Sequence, residues 1–282
     1  MDPAEIEIPR LEVTGLLRQS GLAPKKGLGQ NFLADPAALR TVLAVAEIST
    51  ASTVLEVGPG LGHLTRYLSR AARRVVAVEL DGELIPILQR VLADYPNVEV
   101  VQGDILEIDP ADLIGEPGYI VAANIPYYIT SVLIRHLLEA RFKPSRLALT
   151  VQREVAERIC AQPGDLSLLA LSVQVYGLPK VVAQLPAEAF IPPPKVASAV
   201  VRVDLYPQPL IPAEQLDVFF RLAKAGYSQK RKTLRNALAG GLRIEPSQAA
   251  ELLTRAEIDP QRRAETVGLE EWGKLVKVWN QH

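Results

Sequence analysis

The chain predicts an α/β fold, a doubly wound and mostly parallel sheet, followed by a small C-terminal α-helical domain. Three observations carry that expectation. Between residues 53 and 151, apolar runs of strand length alternate with segments whose apolar residues recur at helical spacing, the pattern of a parallel sheet covered by helices. The first run empties into a glycine-rich turn, Glu56-Val57-Gly58-Pro59-Gly60-Leu61-Gly62. After Tyr206-Pro207-Gln208-Pro209-Leu210-Ile211-Pro212, whose prolines mark a linker, only helical character remains. The predicted boundaries are 1–206 for a ligand-binding domain, with 1–27 as a lead-in, and 207–282 for the helical domain.

The elements follow in order. Residues 1–27 are weakly helical, gripped only by Leu11, Leu16 and Leu17 and broken at Pro24-Lys25-Lys26-Gly27. Asp35-Pro36 supplies a helix N-cap and a proline at the first helical position, and Leu39, Val42, Leu43 and Ala46 give the next helix one apolar face. Strands are predicted at 53–57, 75–80, 98–102, 119–123 and 147–151. Leu64, Tyr67, Leu68 and Ala71 make one intervening helix face; Leu84, Leu88, Val91 and Leu92 make another, where Pro86 marks either a late start or a kink. Helices are expected at 130–141 and 154–161, a buried helix at 166–176, and two late strands at 181–185 and 197–205.

Composition narrows the function classes. The 282 residues, 48% apolar and 22% charged, describe a soluble globular chain, without the roughly 18 uninterrupted apolar residues of a membrane span. Asp2, Glu5 and Glu7 precede any basic residue, unlike a secretory signal, so the expected location is cytoplasmic, with no membrane partner. The lone Cys160 allows neither an intrachain disulfide nor a zinc cluster, and His63, His136 and His282 lack ligand spacing, so no metal is expected. A net charge of −1 gives no global sign of a nucleic-acid partner; any such partner must be read from local clusters.

The chemistry gathers at predicted strand tips. Glycines alternate in the first turn as GxGxG, not the GxGxxG that seats a pyrophosphate, which points to a nucleoside cofactor without one. Glu79, 21 residues after Gly58, stands where an acidic side chain accepts from two ribose hydroxyls, and Asp104 ends the third strand, suited to an adenine amino group. The fourth tip is Asn124-Ile125-Pro126-Tyr127-Tyr128: a carboxamide, a proline and two aromatics after an apolar run. Asn124 and a backbone carbonyl near Pro126 can hold the two N–H groups of an adenine amine while Tyr127 or Tyr128 stacks on the ring.

These runs, with Gly29-Gln30-Asn31-Phe32-Leu33, Phe190-Ile191-Pro192-Pro193-Pro194-Lys195-Val196 and Gln229-Lys230-Arg231-Lys232-Thr233-Leu234-Arg235-Asn236, resemble the rRNA adenine N6,N6-dimethyltransferase family, in its bacterial small-subunit branch. The resemblance implies a class I methyltransferase of Rossmann-like fold that uses S-adenosyl-L-methionine to dimethylate two adjacent adenines in a hairpin loop near the 3′ end of 16S rRNA. Its implied partner is 16S rRNA within an immature small ribosomal subunit, and the protein is expected to be a monomer with a part in subunit biogenesis. It also implies that Asn31 and Leu33 close over the cofactor, Gly58 and Gly60 approach its methionine part, Glu79 holds the ribose and Asp104 the adenine. Asn124, which is also expected to touch the cofactor, and Pro126 orient the target amine, and Tyr127 and Phe190 stack on the target base.

The expected RNA grip is the tail: residues 218–244 contain no Asp or Glu but carry Arg221, Lys224, Lys230, Arg231, Lys232, Arg235 and Arg243, to which Lys25 and Lys26 add two cations. The competing readings are a 23S rRNA methylase of the macrolide-resistance type and a ribosome-assembly factor with incidental methylation. An NAD oxidoreductase fails on glycine spacing.

Overall fold

The computed structural model describes residues 8–281; the acidic start at Asp2, Glu5 and Glu7, and His282, lie outside them. The chain divides into two compact units. One runs to Ala156 and resumes over Lys180–Leu205, and the other comprises Glu157–Pro179 and the chain from Tyr206 onward. The boundary expected at 206 instead places 157–179 in the first domain. Hydrogen bonds group it with the tail: Gly164 and Leu166 N–H donate to the Glu265 carbonyl, and Tyr206 N–H to that of Tyr176.

In the first unit the order is α1 (Val13–Gln19), β1 (Phe32–Leu33), α2 (Pro36–Ala46), β2 (Thr53–Val57), α3 (His63–Ala71), β3 (Arg74–Glu79), α4 (Ile85–Val91), β4 (Val98–Gln102), α5 (Pro110–Ile114), β5 (Ile120–Asn124), α6 (Thr130–Glu139) and β6 (Arg146–Gln152). Then come α7 (Arg153–Ile159), α8 (Leu168–Gln174), β7 (Gly177–Leu185), β8 (Phe190–Ile191) and β9 (Ser198–Leu205). Strands assemble as β4-β3-β2-β5-β6-β9-β7, with parallel pairing from β4 through β6 and β9 antiparallel to β6. Chain order reverses between β2 and β5, and the carboxyl ends flanking such a reversal open a crevice where α/β sheets bind ligands.

Local sequence explains the boundaries. Asp35 caps α2 by accepting from Ala38 N–H at 2.8 Å, ahead of Pro36. Pro86 is the second residue of α4, so it marks a late start. The unanticipated α5 repeats the same signature, with Asp109 accepting from Ala111 N–H at 2.9 Å before Pro110. The buried core draws on α2, α3 and the sheet and includes Leu33 and Phe190; a second cluster joins Val13 and Leu17 of α1 to Phe32, Leu61 and Leu84. The weak-looking lead-in therefore packs against Phe32 of β1.

The second unit continues with α9 (Leu216–Gly226), α10 (Leu234–Leu242), α11 (Pro246–Arg255) and α12 (Leu269–Trp279) around buried Trp272 and Phe219. A Cβ on Gly241 would stand 2.6 Å from the Ala225 backbone, so α9 and α10 meet where only glycine fits. No helix among the described residues is long and apolar enough to cross a membrane.

Candidate active site

The carboxyl ends of β2, β3, β4 and β5 surround an open cleft of about 800 Å³, counting the solvent at its mouth, and the strap 28–32 lines it as well. Gly58 turns into it at φ +69°, with nothing within 4 Å of where a Cβ would stand. A ligand can thus lie against bare backbone there. Gly60, at φ +58°, has a different constraint: an added Cβ would come within 2.9 Å of the Phe32 ring.

Glu79 ends β3 nearly buried, its Oε2 accepting from Gly60 N–H at 2.9 Å and its Oε1 from Asp81 N–H at 2.8 Å. Burial pushes its carboxyl up, and these backbone donors pull against that. Each oxygen keeps a lone pair for a ligand hydroxyl. Asp104 lines the cleft beyond β4, with Oδ1 accepting from Leu106 N–H at 2.9 Å and Oδ2 left to accept from a ligand.

Asn124 ends β5. Its Nδ2 donates to the Asn31 carbonyl at 2.8 Å, which fixes the orientation of the amide and leaves Oδ1 as the acceptor. Asn31 in turn donates through Nδ2 to the Gly29 carbonyl at 3.1 Å. Pro126 lines the cleft, its carbonyl accepting from Ile129 N–H at 3.2 Å with a second lone pair remaining. Tyr127 also lines it, and its hydroxyl pairs with Ser198 Oγ at 2.7 Å. Burial raises that phenol, and Ser198 opposes the shift. Tyr128, 58% exposed, offers the freer aromatic face.

Several sequence expectations need correction. Leu33 does not close over the cleft, because alternation along β1 sends Phe32 toward it and Leu33 into the core. Phe190 is 2% exposed in the same core and is not a wall of the cleft; β8 instead pairs with β1, Phe190 opposite Leu33. Lys25 is not a free cation: its Nζ lies 2.7 Å from Asp81 Oδ1 and 2.5 Å from Glu83 Oε2. Lys26 is exposed. Sequence reasoning assigned nothing to Gln30 and Phe32, which line the cleft, although they sit inside a quoted motif; nothing in the pattern distinguished Leu80 or Ile105, which also line it.

In the tail, Arg221, Lys224, Lys230, Arg231, Lys232 and Arg243 are exposed and Arg235 is half-buried. Three of the cations occupy the turn between α9 and α10, and Arg221 lies 5.3 Å from the Trp279 ring centroid. His63 is buried with its pKa lowered to about 4 by burial, and His136 Nε2 lies 2.9 Å from the Ile108 carbonyl. No group of three or more His, Cys, Asp or Glu side chains among the described residues could hold a metal ion.

The chain matches known proteins along most of its length. A relative from Dehalococcoides mccartyi (strain CBDB1), named ribosomal RNA small subunit methyltransferase A, is 48% identical over 90% of this chain and 88% of its own. One of the same name from Moorella thermoacetica is 43% identical over 92% and 94%. Among solved structures, the 23S rRNA methyltransferase ErmE superposes with TM-score 0.72 at 29% identity, covering 89% of this chain and all of its own. A dimethyladenosine transferase from Plasmodium falciparum gives 0.75 at 25% identity, over 89% and 98%. The sequence profile of the ribosomal RNA adenine dimethylases matches residues 22–281, spanning both the strand-tip cleft and the basic tail, and the chain belongs to that family.

Proposed function

We propose that this chain dimethylates N6 of two adjacent adenines in a hairpin loop near the 3′ end of 16S rRNA, using S-adenosyl-L-methionine, and that it acts as a monomer on an immature small ribosomal subunit in the cytoplasm. The observation that carries the reading is Asn124: its Nδ2 is tied to the strap, so its Oδ1 is the atom left to accept from a target amine. The small-subunit substrate is favoured by the relatives at 41–48% identity, all named for that subunit, over ErmE at 29%.

The residues present fit the cofactor. Glu79 keeps acceptor capacity for a ribose diol and Asp104 for an adenine amino group, while Gly58 leaves open space where a side chain would block a methionine moiety. When bound, the cofactor supplies an electrophilic methyl group on a sulfonium. The protein supplies position. An adenine amine is a weak nucleophile because its lone pair is delocalised into the ring; accepting its N–H groups at Asn124 Oδ1 and the Pro126 carbonyl favours pyramidal nitrogen and frees the lone pair. No general base is needed at the outset, since the proton leaves after nitrogen has become cationic. Tyr127 and Tyr128 offer the base its stacking faces, which contribute about 1–3 kcal/mol per base.

Transfer of labelled methyl to undermethylated small and large subunits offered separately, with mapping of modified nucleotides, tests the assignment; label confined to 23S rRNA would overturn it. Asn124→Ala is expected to lower turnover about 10²-fold with S-adenosylhomocysteine affinity nearly unchanged, whereas Glu79→Ala weakens that affinity itself.

A further inference from the structure

The strap 28–32 is fastened at both ends. At its exit, β1 pairs with β8, and Ala34 N–H donates to the Ala189 carbonyl at 2.9 Å. At its entrance the fastening is ionic and centres on a buried carboxylate. Asp81, 5% exposed, accepts Lys25 Nζ at 2.7 Å on Oδ1 and Gln30 Nε2 at 2.8 Å on Oδ2. Gln30 closes the ring by accepting Lys25 N–H at 2.8 Å through its Oε1. Glu83 reinforces the pair from the solvent side, its own N–H donating to Asp81 Oδ1 at 3.1 Å.

Asp81 is not among the residues that line the cleft, yet it touches both halves of it. Its N–H holds Glu79 Oε1, the carboxylate assigned to the ribose, and its side chain holds Gln30. Gln30 is covalently next to Asn31, whose carbonyl orients Asn124. Burial of Asp81 disfavours its charge, and the Lys25 and Gln30 hydrogen bonds outweigh that, holding its carboxyl below the usual range. Removing one partner would leave a buried carboxylate uncompensated, so the pair responds strongly to single substitutions.

We infer that Lys25, Gln30 and Asp81 form a latch that holds the strap closed over the cleft, so that Lys25 is a positioning residue for the cofactor and for Asn124, and not a phosphate contact. The inference rests on the cofactor assignment above. It assigns a role to the lysine by what its ammonium touches: two carboxylates, one of them buried, leave it little reason to bind phosphate.

The test is S-adenosylhomocysteine binding by calorimetry to the full chain without RNA. Lys25→Met and Asp81→Asn are each expected to weaken affinity by about fivefold or more, and the double variant to be no weaker than Asp81→Asn, because both remove one interaction. Lys25→Arg, which keeps the charge, is expected to bind like the parent. In turnover, Lys25→Met raises KM for the cofactor and lowers kcat. RNA binding by Lys25→Met keeps the parent's salt slope, whereas loss of a phosphate contact would reduce it by about 0.7 to 0.9. Parental affinity for S-adenosylhomocysteine in Lys25→Met, or a slope reduced by that amount, overturns the latch. Lys25 is partly exposed, so its variants keep the test intact if Asp81→Asn unfolds. Failure of the parent itself to bind S-adenosylhomocysteine would instead sink the cofactor assignment.

Discussion

Glu56 shows how a single buried group can set the response of the fold to pH. It sits on β2 just before the glycine turn, 1% exposed, and its Oε2 has no hydrogen-bond partner among the described residues. Burial pushes its carboxyl up to about 8, the neighbouring Glu79 charge acts in the same direction, and the Thr65 hydroxyl acts against both. The folded chain therefore retains a proton that the unfolded chain releases near pH 4.5. Its contribution to stability is fully present below the unfolded value and is lost as pH rises through the folded one. Glu56→Gln keeps the shape and removes the titration. Thermal unfolding of the cofactor-free protein is expected to show equal stability at low pH and a variant more stable by several degrees above pH 8, at roughly 2–4 °C per kcal/mol for a chain of this size. Equal melting temperatures across that range would mean that Glu56 ionises normally inside the fold.

Among elements, legibility followed the source of the signal. β2 and β4 occupy the residues expected of them: β2 is buried at every residue, and β4, a half-exposed edge strand, keeps Val98, Val100 and Val101 in a short run bounded by turns. The strand-tip residues Gly58, Glu79, Asp104 and Asn124 were legible because strand ends in a parallel sheet gather on one edge. Pairing across long separations was not. That Phe190 lies opposite Leu33 follows from a β1–β8 ladder to which no local periodicity points, and the roles given to both residues failed there. The Lys25–Asp81 pair was hidden likewise, since a run without acidic residues says nothing about carboxylates that folding brings near. Phe190→Ala is expected to destabilise the protein by about 3–5 kcal/mol, the cost of a large cavity in a core, measured by denaturant unfolding. A base-stacking Phe190 would leave stability unchanged and lower only turnover.

On the scale of the whole molecule, net charge and local charge give opposite hints about the partner. The chain carries 31 basic and 32 acidic residues, a balance that predicts no affinity for a polyanion. The tail breaks that balance by excluding acids from 218–244, and among the described residues no ion pair engages Lys224, Lys230, Arg231 or Lys232. Lys25 shows the contrast, since its charge is already matched within the first unit. Phosphates that bind unpaired cations displace condensed counterions, so each contact contributes to the dependence of affinity on salt, while a cation already in an ion pair contributes little. Replacing Lys230, Arg231 and Lys232 by glutamine is therefore expected to weaken binding to small-subunit RNA and to reduce its log–log salt slope by about 2 to 3, at roughly 0.7 to 0.9 per phosphate. Cofactor affinity is expected to stay at the parent's value, because the described residues that line the cleft all belong to the first unit. An unchanged slope in this triple variant would remove the turn between α9 and α10 from the RNA contact and shift that role to Arg221, Lys224, Arg235 or Lys26, each testable by the same titration.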